Sequence, residues 1–198
     1  MYWNNIDNHG RSIKKVKVRK MGLFDKLKKK STKDKETECL DTSEIEGEIY
    51  APIKGKYIPI QEMEDEVFSQ RILGNGCGIR PEEGKVYAPV SGVITMIADT
   101  KHAVGICAEN GAEFLIHVGM DTIDMNGDGF KVKVNVEDHI KAGQQLMSFD
   151  MEKIRNANHP TTTAFVLTNE DTMKSFEVKT GKVYSAGEQI GILEGREK

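Results

Sequence analysis

Short apolar segments separated by turn residues dominate the chain from Ile45 onwards. Segments of this kind are typical of β-strands joined by tight turns. Long stretches with the 3.6-residue repeat of an amphipathic helix are lacking, and only residues 65–71 and 150–156 predict short helical segments. The pattern therefore predicts an all-β fold, an antiparallel β-sandwich or barrel with short helical segments at most. The predicted strands cover residues 48–53, 56–60, 86–90, 93–98, 103–108, 113–119, 130–136, 146–149, 164–167 and 190–193.

Two internal echoes predict that this sandwich has duplicated halves. Residues 49–55 (IYAPIKG) recur as residues 86–92 (VYAPVSG), and residues 140–146 (IKAGQQL) recur as residues 184–190 (YSAGEQI). In the first pair the proline ends a strand and the glycine permits the turn into the next one. By contrast, the glycine-rich stretch 74–78 (GNGCG) lacks the lysine and the following helix of a phosphate loop, so it is interpreted as a turn.

The charge of the chain is divided unequally. Residues 1–35 hold 12 Lys/Arg against 3 Asp/Glu, a charge of +9, whereas residues 36–198 hold 16 against 28, a charge of −12. The basic arm is suited to an anionic surface, and the acidic remainder is expected to avoid nucleic acid.

The sequence predicts a cytoplasmic protein with reduced thiols. The sequence contains no run of 18 or more apolar residues, so no membrane span is predicted. The basic N-terminal stretch is not followed by the apolar segment of a signal peptide, so none is predicted either. The three cysteines, Cys39, Cys77 and Cys107, show no C-x-x-C spacing.

Three parts follow one another along the chain. Residues 1–20 are expected to be a disordered extension, or an over-called start, because Met21 opens a stretch (MGLFDKLKKK) that looks like a native N-terminus. Residues 21–44 are predicted to be a basic amphipathic segment and linker, in which residues 21–30 either contact an anionic membrane or form a fraying, solvated tail. Residues 45–198 are predicted to be the folded domain.

His102 and His117 are the most informative candidate site residues. Each lies beside a predicted strand, and a pair on neighbouring strands could share one phosphate or one metal ion. Residues 113–119 are apolar on both faces, which predicts a central strand and a His117 imidazole that stays neutral and nucleophilic. Thr100 is close enough in sequence to orient the His102 ring. A buried histidine is often only a satisfied core residue, and this simpler interpretation is kept for His9, His139 and His159, which lie in polar or turn segments.

Several motifs in order resemble the glucose-type enzyme IIA component of the bacterial phosphoenolpyruvate-dependent sugar phosphotransferase system. The most specific is LIHVGMDT around His117, and the resemblance runs from about Ile45 to Leu193. The other motifs that carry it are DEVF (65–68), ILGNG (72–76), YAPVSG (87–92), TKHA (100–103) and NGDGF (126–130).

The resemblance implies a phosphohistidine relay. His117 would accept a phosphoryl group from the phosphocarrier HPr and pass it to a cysteine on the enzyme IIB domain of a sugar permease. His102 would be the second active-site histidine, oriented by Thr100. No cofactor would be required, although His102 and His117 are conditional zinc ligands at a partner interface.

The resemblance also implies a docking rim for these partners. Val67, Phe68, Leu115 and Asp121 match partner-binding positions. Ala98, Val104 and Leu115 stand where some members carry phenylalanine, which changes the rim more than the chemistry. The sugar served is left open, and the lack of an enzyme IIB signature predicts a free-standing component.

Three other functions are weighed against this one. A zinc metallopeptidase needs a third protein ligand, which the pattern around His102 and His117 does not offer. A biotinyl or lipoyl carrier needs a lysine at a hairpin tip, and none stands out. A regulatory module that binds other proteins is compatible with the relay and stays open.

Overall fold

The computed structural model describes residues 38–42 and 45–195, so the predicted extension 1–20 and the amphipathic segment 21–30 lie outside the described residues. Within the described ranges the chain forms fourteen strands, two short α-helices and three 3₁₀ turns. No helix among the described residues is long and apolar enough to cross a membrane.

The strands are Glu48–Tyr50 (β1), Gly55–Pro59 (β2), Asn75–Pro81 (β3), Lys85–Tyr87 (β4), Gly92–Ile97 (β5), Ala103–Ala108 (β6), Glu113–His117 (β7), Phe130–Val132 (β8), His139–Ile140 (β9), Gln145–Phe149 (β10), Thr163–Leu167 (β11), Met173–Val178 (β12), Val183–Tyr184 (β13) and Gln189–Gly195 (β14). The helices are Glu66–Ser69 (α1) and Met151–Asn156 (α2), and the 3₁₀ turns are Ile60–Glu62, Thr122–Met125 and Glu170–Thr172.

All pairings between these strands are antiparallel. One eight-stranded sheet has the order β13-β2-β3-β11-β7-β6-β5-β9, and two three-stranded sheets have the orders β1-β14-β12 and β4-β10-β8. The all-β, antiparallel prediction is confirmed, and so are the two short helical segments. Because β7 lies between β11 and β6 in the large sheet, the prediction of a central strand around His117 is also confirmed.

The interpretation of residues 74–78 as a turn is wrong. Residues from Asn75 onwards form β3, which pairs with β2 on one side and β11 on the other. The glycines suit a crowded central position: a Cβ built on Gly76 would lie 2.0 Å from the carbonyl oxygen of Phe165. Strands β9, β12 and β13 were not predicted either. Strands β9 and β13 have only two residues each, and β12 alternates weakly and exposes Lys174, Ser175 and Glu177.

The two copies of the first repeated motif, residues 49–55 and 86–92, form reciprocal hydrogen bonds with each other. The backbone N–H of Tyr50 donates to the carbonyl oxygen of Pro89 at 2.9 Å, and the N–H of Tyr87 donates to the carbonyl oxygen of Pro52 at 2.8 Å. Each copy of the motif therefore bonds the other at the equivalent position, as a duplicated architecture requires.

Each copy of the second repeated motif (140–146 and 184–190) bonds one copy of the first motif at an equivalent position. The N–H of Gly143 donates to the carbonyl oxygen of Ala88, and the N–H of Gly187 donates to that of Ala51, both at 2.9 Å. Leu40, from the short described segment 38–42, lies against both of these glycines. The predicted duplication is thus present in the backbone hydrogen bonds.

Two apolar clusters fill the domain. The larger one contains the stacked rings of Phe114 and Phe165, 5.3 Å apart, and most of the buried apolar residues. The smaller one includes Phe68, Met120 and Val166, with Leu115 packed partly buried against it. The smaller cluster matters for function because β7 carries His117 beside it.

Candidate active site

His117 is the last residue of β7, where the chain turns sharply away from the sheet. Its backbone is fixed on both sides, because His117 is paired with Ala103 of β6 and with Ala164 of β11. The turn depends on Gly119, which has a φ of 73°, and a Cβ there would lie 2.5 Å from the Cγ2 atom of Thr122. Only glycine adopts this conformation without strain.

His102 lies in the hairpin between β5 and β6, and its ring contacts that of His117. The N–H of Val118 donates to the carbonyl oxygen of His102 at 2.8 Å, which ties the hairpin to the end of β7. The rings of His102 and His117 lie 4.6 Å apart, centroid to centroid, in an edge-to-face arrangement with an interplanar angle of 74°. The predicted pairing of the two histidines is therefore present.

The hydrogen-bond partner of each ring differs. Nδ1 of His117 lies 2.9 Å from the carbonyl oxygen of Gly119, and because a carbonyl only accepts, Nδ1 carries the hydrogen. In the neutral ring the lone pair is then on Nε2. Nδ1 of His102 lies 2.6 Å from the hydroxyl oxygen of Thr100, which can donate or accept. The predicted contact between Thr100 and His102 is thus present.

Both rings favour the neutral state. Burial, reinforced by the neighbouring His117, lowers the pKa of His102 from an ordinary value of 6.5 to about 4. Burial also lowers the pKa of His117, although the Gly119 carbonyl and the carboxylates of Asp65 and Asp121 oppose that effect. A neutral imidazole can act as a nucleophile near pH 7.

Helix α1 places Phe68 against His117. The helix begins where the Asp65 carboxylate accepts hydrogen bonds from the N–H groups of Val67 (2.9 Å) and Phe68 (3.2 Å), as an N-cap does. The Phe68 ring is 4% exposed and its centroid lies 5.3 Å from that of His117. Val67 is 39% exposed, so it is the member of this predicted pair whose surface is open to a partner.

The remaining predicted rim residues flank His117 along the chain. Leu115 lies two residues before it on the same face of β7 and is half-buried against the smaller cluster. Asp121 is exposed and has a left-handed backbone with a φ of 57°. The seven predicted site residues therefore lie on three parts of the fold: helix α1, the hairpin between β5 and β6, and β7 with the loop that follows it.

Two groups at this site were not predicted from the sequence. Asp65 acts both as the cap of α1 and as a carboxylate near His117, and an aspartate directly before a short helical segment was the available signal. The Gly119 carbonyl is a backbone group, so no side-chain pattern could have indicated its role.

The site offers few metal ligands by itself. Among residues 38–42 and 45–195, no group of three or more His, Cys, Asp or Glu side chains is arranged to hold a metal ion. His102 and His117 are two nitrogen donors, whereas zinc sites use three or four protein ligands. A zinc ion here would need ligands from another molecule or water.

Comparison with known proteins gives one consistent family. The model of the EIIA 1 family of the phosphoenolpyruvate-dependent sugar phosphotransferase system matches residues 47–173. A glucose-specific EIIA component from Staphylococcus epidermidis is 41% identical over 140 residues, which cover 71% of this chain and 84% of the relative. One from Bacillus cereus is 44% identical over 142 residues, covering 72% of this chain and 86% of the relative.

A solved structure agrees with these sequences. The glucose permease IIA from Mycoplasma capricolum superposes with a TM-score of 0.69 at 34% identity, over 73% of this chain and 94% of that protein. The chain therefore belongs to the EIIA 1 family of the phosphoenolpyruvate-dependent sugar phosphotransferase system.

Proposed function

We propose that this protein is a cytoplasmic phosphoryl carrier that accepts a phosphoryl group from phospho-HPr on His117 and donates it to the enzyme IIB cysteine of a sugar permease during sugar uptake. The observation that carries the proposal is the bond from Nδ1 of His117 to the Gly119 carbonyl, with a second imidazole 4.6 Å away. That bond selects the tautomer whose Nε2 lone pair is free for bond formation.

In the accepting step, Nε2 of His117 attacks phosphorus in line with the bond to the HPr donor atom, which breaks as the new P–N bond forms. Positive charge develops on the His117 ring, and the Gly119 carbonyl and the carboxylates of Asp65 and Asp121 stabilise it. Negative charge is spread over three equatorial oxygens of the phosphoryl group, which need donors.

His102 is proposed to supply such a donor. When the Thr100 hydroxyl donates to Nδ1 of His102, Nε2 of the neutral ring carries a hydrogen that can bond a phosphoryl oxygen. In the delivering step the P–N bond to His117 breaks and phosphorus passes to the cysteine sulfur. A donor on the phosphoryl oxygens lowers the barrier to that step.

The smaller apolar cluster is proposed to protect the intermediate from hydrolysis. Phe68 covers one side of His117, and Val67 and Leu115 extend the apolar surface around it. A partner that docks on this surface would exclude water, which would otherwise attack phosphorus. Asp121 would add a negative charge to the rim and favour a basic partner surface.

The first experiment measures intact mass after incubation with phosphoenolpyruvate, enzyme I and HPr. The wild type is expected to gain one acid-labile, alkali-stable phosphoryl group, and His117→Ala is expected to gain none. His139→Ala is the matched control, because His139 is an exposed histidine on the edge strand β9. A phosphoryl group on His117→Ala, or none on the wild type, would contradict the proposal.

Two further properties are proposed from the sequence. Residues 21–30 are proposed to contact anionic membranes; removing them should weaken binding to vesicles that contain anionic lipid, and unchanged binding would favour the solvated tail. His102 and His117 are proposed as zinc ligands only at a partner interface, where the partner would complete the coordination. Calorimetric titration with zinc, with and without the partner, tests this.

A further inference from the structure

A contact outside the histidine pair joins the loop that carries the Gly119 carbonyl to the rest of the domain. Nε2 of His159 lies 2.8 Å from Oδ1 of Asp124. Because an ionised carboxylate only accepts, the imidazole nitrogen carries the hydrogen and donates it. The His159 side chain is 14% exposed and that of Asp124 is 67% exposed, so the histidine is the anchored member of the pair.

His159 is itself fixed to the core. Its backbone N–H donates to the carbonyl oxygen of Ile154 at 3.1 Å, and Ile154 of α2 is fully buried. The next residue, Pro160, accepts a hydrogen bond from the N–H of Met120 at 3.1 Å. Two consecutive residues of the connection between α2 and β11 thus bond two points, Met120 and Asp124, of the loop that follows His117.

These two contacts differ from the hydrogen bonds made within that loop. They also lie nearer to Gly119 in sequence than the contacts at the far end of the loop, where the N–H of Asp150 donates to the carbonyl oxygen of Gly129 and Lys153 pairs with Asp128. The Thr122 hydroxyl donates to the Val118 carbonyl oxygen, and the Asn126 side chain donates to the carbonyl oxygen of Asp124. Bonds of this kind connect near neighbours in sequence and give the loop its shape. They do not fix its position against the α2–β11 connection, which the contacts of His159 and Pro160 do.

We propose that His159 is a positioning residue for phosphoryl acceptance: through Asp124 it keeps the loop, and with it the Gly119 carbonyl, aligned with Nδ1 of His117. This inference rests on the proposed function. When the contact is lost, the loop can shift against the end of β7 and lengthen the bond to Nδ1. The His117 ring then populates its other tautomer, in which Nε2 carries the hydrogen and cannot attack phosphorus.

The test combines transfer kinetics with a direct measurement of the tautomer. In His159→Ala, acceptance from phospho-HPr is expected to slow by about 3- to 10-fold in kcat with little change in KM, well below the roughly 100-fold that a 1 Å misplacement can cost. Nitrogen-15 NMR of the imidazole rings should show a smaller Nδ1–H fraction for His117. His159→Gln, whose amide can donate to Asp124, should restore both quantities.

Two further variants separate positioning from general destabilisation. Asp124→Ala should reproduce the effect of His159→Ala, and the double variant should be no worse than either, because both remove the same contact. Lys153→Ala is the matched control: it removes the exposed pair between Lys153 and Asp128 in the same region and should leave kinetics and tautomer unchanged. The inference would be overturned if His159→Ala kept the wild-type tautomer of His117 and the wild-type rate of acceptance, while the wild type accepts a phosphoryl group normally. A wild type that accepts no phosphoryl group would instead overturn the proposed function.

Discussion

The two histidines of the site are neighbours with the same side chain, yet the partners of their Nδ1 atoms differ in kind. His117 is bonded to the backbone carbonyl of Gly119, which can only accept, whereas His102 is bonded to the hydroxyl of Thr100, which can donate or accept. A carbonyl favours the one tautomer that donates to it, and a hydroxyl permits both. The hydrogen-bond partner of Nδ1 therefore assigns the chemical role of each ring.

The surroundings of the two rings strengthen this difference. Two carboxylates, of Asp65 and Asp121, act on His117 and favour positive charge there, as a ring that forms a bond to phosphorus requires. For His102 the neighbouring charge is that of the other imidazole, which disfavours protonation. His117 is therefore suited to nucleophilic attack, and His102 to donating a hydrogen bond as a neutral ring.

The largest effect on the contrast between the two rings is expected from replacing His102. In His102→Gln the protein is expected to accept a phosphoryl group at a rate within about threefold of the wild type, but to deliver it to enzyme IIB at least about 100-fold more slowly, since a positioned donor in the transition state is worth roughly that much. Single-turnover measurements of each half-reaction check this, with His139→Gln as the control. Equal losses in both steps would contradict the assignment of separate roles.

A change of the backbone partner should affect the other half of the relay. Gly119→Ala places a Cβ against Thr122 and strains a residue with a φ of 73°, so acceptance should slow by about 10- to 50-fold as the carbonyl moves away from Nδ1. Gly111→Ala is a matched control, because Gly111 also has a positive φ, 87°, but nothing within 4 Å of the new Cβ. If both variants slow acceptance equally, the effect does not come from the loop.

Stability should depend on pH through His102. Its pKa is about 4 when folded and near 6.5 when unfolded, so the unfolded chain takes up the proton first and stability falls as pH decreases from about 6.5 towards 4. In His102→Gln, the loss of unfolding free energy between about pH 7.5 and pH 5 should be smaller by about 2 kcal/mol. Urea denaturation at the two pH values measures this. An identical pH dependence in both proteins would contradict the neutral state of buried His102.

The smallest effect is expected from Thr100→Val, which removes the hydroxyl and keeps the shape of the side chain. Loss of one hydrogen bond of about 1 kcal/mol predicts delivery to enzyme IIB slowed by about 5-fold, with acceptance unchanged. Thr100→Ser should restore the rate, because it keeps the hydroxyl. A slower accepting step would show that the orientation of His102 matters to both halves of the relay.

Much of the fold could be predicted because local patterns and tertiary structure agree for most strands. Residues 113–119 are apolar on both faces, and a strand of that kind has to be buried in the middle of a sheet. Glycines signal turns locally, and the turn predicted for residues 74–78 is wrong because here they permit close packing between two neighbouring strands. The alternation of β12 is interrupted by a register shift between Met173 and Ser175, so its buried side packs on the core without giving a regular pattern in the sequence.

Residue type and spacing are enough to indicate the all-β class, the duplicated motifs, the two candidate histidines and the family resemblance. Three contacts follow only from the tertiary structure: the bond of Nδ1 of His117 to the Gly119 carbonyl, the packing of Phe68 against His117 and the link from His159 to Asp124. Each of these contacts joins atoms whose approach depends on chain turns or on strand pairing between distant segments. The Gly119 carbonyl is a backbone group. Every residue has such a carbonyl, so this one acquires a role only from where the fold places it.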